Sequence, residues 1–273
     1  MKKKILSIVL ALAMVLGLAA VMTGCGDDPV EAYNKAAANM SAADDIQMQG
    51  TMKAKIDMQG QSQEITMNLD TTIIKSTTDD PADMQAAMEF SYSMMGQSLS
   101  AKMYIKDKTV YTESNGTKTK SELTKEATDA INQLTGSDQK IDDYVKDSKS
   151  DGDDVILTLD SKKYLTDLIS KLGNLSSSGD STVDMDQIKS TLDQIDMKDI
   201  TITATIKDEN FTAMKVKLPI EIDMSAFTSM MTGGAASGDT SGQKMSMDID
   251  VNMDPIKVNS GAKIDFPDFS DYK

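Results

Sequence analysis

The sequence predicts an α+β protein built on one curled antiparallel sheet, a half-barrel of about nine or ten strands with a helical plug and a short N-terminal helix. Three observations predict this fold class. Apolar and polar residues alternate with a period of two over much of the chain, turn sequences separate the alternating segments, and helical spacing is confined to the start and the middle.

The clearest alternating segment runs from Ile46 to Ile73. Its two arms flank residues 59–62, Gln-Gly-Gln-Ser, and each arm places apolar residues at every second position with polar residues between them. This pattern is typical of a two-stranded ribbon with one dry face and one wet face. A second ribbon of the same kind spans residues 88–105, and Asn115-Gly116 is a strong signal for a tight turn.

Helical spacing appears before and after these ribbons. Pro29 suits the first turn of a helix, and the apolar residues after it keep a helical spacing until about Ala43. Four more helical patterns, which form the predicted plug, lie in the middle of the chain: one from Leu123, one around Ile141 to Val145, one that Ser161 is expected to cap, and one from Met185 to Ile195.

Alternation resumes after residue 200 and continues to Phe266. Pro219 interrupts one of these strands and indicates a sheet edge or a bulge, because proline cannot donate a ladder hydrogen bond. Residues 233–242 are rich in Gly, Ser, Ala and Thr and predict a mobile loop. The acidic tail, residues 267–273, is expected to be frayed.

The N-terminus has the pattern of a bacterial lipoprotein signal. Three lysines precede a nearly unbroken apolar run over residues 5–22, and Thr-Gly-Cys follows it. We therefore expect residues 1–24 to be a signal peptide, Cys25 to carry the lipid, such as palmitate, and residues 25–29 to form a tether. The alternative is an uncleaved membrane anchor, since the run is near the lower limit for crossing a bilayer.

Composition excludes several classes of function. The net charge is −15, and it becomes −18 without the three N-terminal lysines, so no basic surface exists to meet nucleic acid. The chain has no His, which removes His-dependent nucleophilic catalysis and His-ligated metal sites. We expect no enzymatic activity, no cofactor and no metal.

The excess of inward-facing apolar residues predicts a cavity. About 40 inward side chains from the strands would meet only about 16–20 from the helices, so a flat sheet would leave a large apolar patch exposed. The sheet must then curl on itself or hold an apolar guest. The candidate lining residues are Met48, Met52, Ile56, Ile65, Met67, Leu69, Met88, Phe90, Met94, Leu99, Met103, Met245, Met247 and Ile249.

The order of these elements resembles the surface lipoproteins of the LolA/LppX type. The segments that carry the resemblance are residues 32–35, Ala-Tyr-Asn-Lys, residues 56–61, Ile-Asp-Met-Gln-Gly-Gln, and residues 94–97, Met-Met-Gly-Gln. The resemblance implies a single domain over residues 30–266, a half-barrel closed by helices, and a hollow that binds acyl chains or lipoproteins. The chain has no Arg, so any Arg-dependent ligand handling in that family does not transfer.

The 22 methionines have three interpretations: flexible core filling, a pliable lining for a lipid or an apolar peptide, and soft-metal binding through thioethers. Strict alternation with other aliphatic residues explains their spacing without a metal. The acidic residues between Asp147 and Asp154 do not fit a calcium loop, because Lys149 and Thr158 stand where ligands are needed, and a solvated turn is the simpler interpretation.

The expected protein is a monomeric lipoprotein, anchored by lipid to the extracytoplasmic face of the cell membrane. It binds a lipid, an acyl chain or another apolar ligand in the concave face of its sheet. The alternative is a structural or protein-interaction module of the cell envelope whose sheet is simply its core.

Overall fold

The computed structural model describes residues 28–58, 61–75, 84–94, 97–123, 141–167, 195–223 and 244–273. A helix, α1 (Pro29–Ala42), comes first, and a 3-10 turn, Ile141–Tyr144, lies in the middle. Residues 161–167 are also helical. The described chain has twelve strands: β1 (Asp45–Met58), β2 (Gln61–Ile74), β3 (Gln85–Met94), β4 (Gln97–Lys106), β5 (Thr109–Ser114), β6 (Thr117–Glu122), β7 (Val145–Asp151), β8 (Asp154–Leu159), β9 (Ile195–Met197), β10 (Ile200–Lys207), β11 (Asn210–Asp223) and β12 (Lys244–Val258).

Helix α1 begins and ends through local hydrogen bonds. The Asp28 side chain accepts from the Val30 backbone N–H at 2.9 Å, and Pro29 fills the first helical position, where its missing N–H is not needed. The last turn contains no basic residue of its own. Lys75, at the end of β2, instead donates its Nζ to the carbonyl oxygens of Met40 and Ser41. Burial lowers the pKa of Lys75.

All twelve strands form one antiparallel sheet. Its order is β6-β5-β4-β3-β2-β1-β12-β11-β10-β8-β7, and β9 pairs with the C-terminal half of β11. The sheet is curled and does not close, since β6 and β7 are its edges within the described part of the chain. Most neighbours are consecutive hairpins, but β1 pairs with β12, which lies some 200 residues away in sequence.

The turns follow from residues that tolerate a left-handed backbone. Asn115 (φ 51) and Gly116 (φ 77) link β5 to β6, as a type I′ turn requires. Pro219 lies where the pairing of β11 passes from β10 to β9, and its carbonyl accepts from the Lys198 N–H at 3.2 Å. Proline cannot donate a ladder hydrogen bond, and Pro219 lies between the part of β11 that pairs with β10 and the part that pairs with β9.

Helix α1 and one end of the sheet form the main hydrophobic core. Tyr33, Ala36, Ala37 and Met40 face β7, β8, β10 and β11, and the rings of Tyr33 and Phe211 have centroids 5.0 Å apart. A smaller core cluster lies at the same end of β3 and β4, where Met88 and Met103 are cross-strand partners.

The C-terminal segment is packed, so our prediction that residues 267–273 are frayed is wrong. Phe269 stacks on Tyr111 with ring centroids 3.7 Å apart, Tyr272 is 2% exposed, and the carbonyl of Lys273 accepts from the Lys120 N–H at 2.9 Å. Five of the twelve aromatic residues contact one another on the polar face of β4 and β5 and bury the tail there. We call this cluster the aromatic clasp; it consists of Tyr104, Tyr111, Phe266, Phe269 and Tyr272.

Asp45 fastens the start of this segment to the start of β1. Its buried carboxylate accepts from Ser260 N at 3.0 Å, Ser260 Oγ at 2.7 Å and Gly261 N at 2.9 Å. Although burial opposes ionisation, these hydrogen bonds hold the pKa of Asp45 below its ordinary value. The chain therefore leaves β12 in a fixed direction towards β5 and β6.

Several sequence predictions are confirmed and others are corrected. Helix α1, both ribbons and the antiparallel, unclosed sheet are confirmed, but the sheet has twelve strands rather than nine or ten. Asp160, not Ser161, accepts the capping hydrogen bond, from Lys163 N at 3.0 Å. Ile195 starts strand β9 instead of ending a helix. The acidic segment around Asp151 contains the expected exposed turn, which joins β7 to β8.

The helical plug was predicted largely over residues 124–140 and 168–194, which lie outside the described residues. The same is true of the loop at 233–242, the signal peptide and Cys25. None of the helices in the described ranges combines the length and the hydropathy needed to span a membrane.

Candidate functional site

Strand register places all fourteen candidate lining residues on one face of the sheet. In antiparallel pairs, residues directly opposite each other point to the same side. Met52 pairs with Met67, Met67 with Tyr92, and Tyr92 with Leu99, which joins β1, β2, β3 and β4 on that side. The same register continues through β12, where Met245, Met247 and Ile249 oppose residues 58, 56 and 54. We call this the apolar face; α1 packs on it.

One end of the apolar face is filled core. Met48 is 2% exposed, and Met88 and Met103 are also buried. The covered half, as we name it, comprises this end of the sheet together with the residues of β8, β10 and β11 that lie beneath α1. Its largest fully buried residues include Leu157, Ile202 and Phe211. Side chains that already pack this closely leave no space for a guest.

The other end of the apolar face is only partly buried. Leu99 is 46% exposed and is the exposed large hydrophobic residue of the described chain, while Met245, the second residue of β12, is buried. Met94 holds a register position there, opposite Ile65. We name this the accessible half; its half-buried or exposed members are Met52, Ile56, Ile65, Met67, Leu69, Phe90, Leu99, Met247 and Ile249.

Sequence reasoning missed four members of the same surface. Tyr92 on β3, Leu218 and Ile220 on β11, and Met197 on β9 are half-buried and lie in register with the accessible half. The period-two pattern already placed Tyr92, Leu218 and Ile220 on the inner side of their own strands, whereas Met197 fell between a predicted helix and the next predicted strand. The membership of the β11 and β9 residues depends on β11 lying beside β12 and on β9 lying beside β11, which no local pattern states.

Methionines pair across strands on the apolar face. Met52 is opposite Met67 in the accessible half, whereas Met88–Met103 and Met214–Met253 are buried pairs at the covered end. Thioether side chains are flexible and polarizable, so such pairs fill irregular space and adapt to different partners. Within the described ranges, no group of three or more acidic, His or Cys side chains is arranged to hold a metal ion.

Thr71 places one polar atom in this apolar surface. The residue is 0% exposed, lies between Met48 and Met88 in register, and its Oγ1 has no hydrogen-bond partner among the described atoms. Tyr33, deeper in the core, is kept neutral because burial raises its pKa. These groups make the covered half a packed core with few polar atoms.

The opposite face carries a groove that sequence reasoning missed. It crosses β12, β1, β2, β3 and β4 and encloses about 440 Å³. We call it the polar groove, and its uncharged polar lining consists of Gln49, Thr51, Asn68, Ser91, Ser100 and Asn252. The sequence shows these residues as the wet positions of alternating strands, and alternation alone does not reveal that a groove crosses the wet face.

Cross-strand hydrogen bonds tie the polar groove together. Gln49 donates to Asp70 at 2.9 Å, and Thr51 donates to Asn68 at 3.1 Å. Asn68 in turn donates to Ser91 at 3.3 Å. These contacts fix side chains that would otherwise rotate freely at an exposed surface.

Comparisons with known proteins give one clear result. The profile of a family of unknown function, DUF6612, matches residues 28–269, which is most of the chain. No curated protein matches the chain. The crystal structure of LprF from Mycobacterium bovis is similar at 11% identity and a TM-score of 0.39, covering 88% of this chain and 96% of that one.

A DUF1329 family protein from Desulfovibrio piger ATCC 29098 is similar at 10% identity and a TM-score of 0.24, covering 86% of this chain and 95% of that one. At these TM-scores, neither solved structure supports a conclusion about this chain. The family profile matches residues 28–269, and the chain therefore belongs to the DUF6612 family.

Proposed function

We propose that the protein holds an apolar ligand, such as a lipid or an acyl chain, against the accessible half of its apolar face. The observation that supports this proposal is the difference in burial along single strands. On β1, Met48 is buried while Met52 and Ile56, on the same face, are half-buried. The strand therefore runs from a finished core into a surface that keeps apolar area in contact with solvent.

The size and chemistry of the accessible half suit an acyl chain. Its members on β12, β1, β2, β3 and β4 span four strand spacings, or about 19 Å. Half of the ~30 Å hydrocarbon core of a bilayer is about 15 Å, the reach of one leaflet's acyl chains. Met52, Met67 and Met247 would adapt their side chains to such a ligand without breaking the sheet.

The proposal includes a cellular location. Cys25 would carry the lipid anchor, and the body would face the outside of the cell membrane as a monomer without enzymatic activity. Its support is the signal-like N-terminus and the cysteine that follows it. The substitution Cys25→Ser should move the protein from the membrane fraction to the medium or leave an uncleaved precursor. Unchanged fractionation together with an unchanged mass would contradict the anchor.

Ligand binding is tested on a chain of residues 26–273, which keeps every described residue. Native mass spectrometry after incubation with phospholipid vesicles should detect a lipid adduct. Met67→Asp, which puts a charge into the accessible half, should abolish the adduct because burying a carboxylate against an acyl chain is strongly unfavourable.

The matched control is Thr66→Asp. Thr66 is the neighbouring residue on the other face of β2, so the same charge is added without entering the apolar face. Equal loss of the lipid adduct in both variants, or no adduct in the unsubstituted protein, would contradict the proposal.

A second candidate function is an envelope interaction module that binds a protein partner or none. The observation that favours it is the covered half, where the same apolar face serves purely as core under α1. The two candidates differ in the adduct experiment. An interaction module would yield no lipid adduct, and Met67→Asp would leave its mass spectrum unchanged apart from the substitution itself.

A further inference from the structure

The polar groove has the volume of a ligand site. Its roughly 440 Å³ falls within the range of about 300–1,000 Å³ that is common for small-molecule sites. Its polar lining lies on the face opposite the accessible half and shares no residue with it, although Leu69 and Phe90 border both, so the polar groove does not rest on the proposed function. Fourteen residues from five adjacent strands line it, and all of them belong to the described chain.

An irregularity in β12 lies beside the groove and helps to shape it. Gly50 pairs with Met253 and Met48 pairs with Ile256, so two residues of β12, 254 and 255, oppose Gln49 alone. Such a bulge bends its strand and increases the local twist. A Cβ at Gly50 would lie 3.3 Å from the Asn252 carbonyl oxygen, so glycine permits the close approach of the two strands at this bend.

The uncharged lining of the groove offers both donors and acceptors. Three carboxamides, those of Gln49, Asn68 and Asn252, each present an N–H₂ donor and a carbonyl acceptor. Three hydroxyls, from Thr51, Ser91 and Ser100, add groups that donate or accept. A ligand that carries many hydroxyl groups has the same double character and can match such a surface along its length.

The charged lining restricts the ligand further. Asp70, Glu89 and Asp254 outnumber the single cation, Lys102, whose Nζ lies 2.6 Å from Glu89 Oε1. The hydrogen bond to Glu89 raises the pKa of Lys102, so this cation is already paired with an acid of the groove. Phosphates and other anions would be repelled both here and by the net charge of −15.

We propose that the polar groove binds a neutral, hydroxyl-rich chain, which in chemical terms is a glycan segment. The free carboxylate oxygens accept from sugar hydroxyls, and the carboxamides donate to hydroxyl and ring oxygens. The groove crosses the strands, so an extended oligosaccharide lies perpendicular to them and contacts β12, β1, β2, β3 and β4 in turn. The protein thereby has two faces with different ligands, one apolar and one saccharide.

The test is calorimetric titration of the full-length protein in a zwitterionic detergent without a sugar headgroup. The probes are cellohexaose, chitohexaose, pentalysine and pyrophosphate. At least one of the two hexasaccharides should bind, whereas pyrophosphate should not. Gln49→Leu, which removes one carboxamide from the groove, should weaken hexasaccharide binding by about tenfold, the equivalent of one or two hydrogen bonds.

The matched control is Gln47→Leu. Gln47 has the same side chain on the same strand and the same face, two residues outside the groove lining. Its affinity for the hexasaccharide should stay within about twofold of the unsubstituted protein. Thermal unfolding of both variants checks that each is folded, and Asn252→Leu repeats the test from the other side of the groove.

Three outcomes overturn the proposal. The first is no binding of either hexasaccharide. The second is binding of pentalysine alone, which would make the groove a site for a basic peptide. The third is an equal loss in the Gln47→Leu and Gln49→Leu variants, which would place the saccharide outside the groove.

Discussion

The two ends of the apolar face differ although their strands have the same composition pattern. In the covered half, Leu157 is 0% exposed beneath α1, and Ile202, its partner on β10, is also 0% exposed. At the accessible end, Leu69 is half-buried and Leu99 is 46% exposed. A run of alternating aliphatic and methionine residues therefore serves as core at one end and as a partly wet surface at the other.

The difference teaches that alternation reports which side a residue faces and nothing about what covers it. Burial at the covered end comes mainly from α1, a helix of 14 residues, and from the Tyr33–Phe211 contact, with Tyr144 and Tyr164 adding to the same core. The helix covers β7, β8, β10 and β11 and does not extend along the full length of the longer strands β1, β2, β11 and β12. Function can reside where the cover ends, because a finished core has no room for a guest.

The largest expected effect is on the free energy of unfolding, when the same Leu→Ala substitution is made in the covered half and in the accessible half. Leu157→Ala should lower the free energy of unfolding by about 3 kcal/mol, since it leaves a cavity under α1. Leu69→Ala should lower it by about 1 kcal/mol or less, because its side chain is already partly exposed to solvent. Urea denaturation of both variants gives the comparison, and equal losses would mean that the two ends do not differ.

A smaller effect is expected at the strand end that fixes the C-terminal segment. Asp45→Asn should cost about 2 kcal/mol, because one amide cannot accept the hydrogen bonds from Ser260 and Gly261. The lowered pKa of Asp45 stabilises the fold above the unfolded value of about 3.9, and this contribution disappears as pH falls through the lower folded pKa.

Urea denaturation at a series of acidic pH values measures this contribution. The unsubstituted protein should lose stability more steeply than Asp45→Asn as the pH is lowered. Parallel curves for the two proteins would rule out the buried carboxylate as the source.

Peroxide oxidation of methionines should distinguish the accessible half from the covered half in the unsubstituted protein. Met52 and Met67 in the accessible half should become sulfoxides before Met48 and Met253, which are buried. Peptide mass spectrometry over a time course gives the order. A bound acyl ligand should slow oxidation of the first pair and leave the second unchanged, while uniform oxidation rates would argue that both ends are equally covered.

The smallest expected effect concerns the aromatic clasp at alkaline pH. Burial, together with the nearby Glu113, raises the pKa of Tyr272 to about 12. Since an unfolded tyrosine ionises near pH 10, the folded state holds its proton more tightly, and stability falls as pH rises from about 10 to 12. Tyr272→Phe should remove this part of the alkaline loss, which urea denaturation at pH 9 to 12 would detect as a shallower decline; an unchanged decline would contradict it.

Much of the fold was predictable because hairpins are local. Asn115-Gly116 and the ribbon from Ile46 to Ile73 are coded by neighbouring residues, and the structure places both as predicted. The aromatic clasp was not predictable, because Phe269 and Tyr111 are 158 residues apart and each looks like an ordinary tail or strand residue. The acidic composition of residues 267–273 suggested fraying, and ring stacking outweighs that tendency.

The candidate site divides in the same way. All fourteen lining residues share a face, because side chains in a strand alternate between two sides and the pattern of period two is visible in the chain. Their separation into buried residues such as Met48 and half-buried residues such as Met52 depends on where α1 docks. The polar groove is lined by five strands and lies beside a bulge between β1 and β12, and no single strand pattern contains either feature.

By itself, the sequence determined most of the strands and their turns, the first helix and the apolar side of those strands, because these depend on residues close together in the chain. Only the tertiary structure decided that β1 lies beside β12, that β9 is a strand beside β11, that α1 covers one end of the apolar face, and that the tail packs on β4 and β5. The physical reason is that pairing between distant segments is selected by the total burial and hydrogen bonding of the whole sheet. Local alternation is compatible with many such pairings.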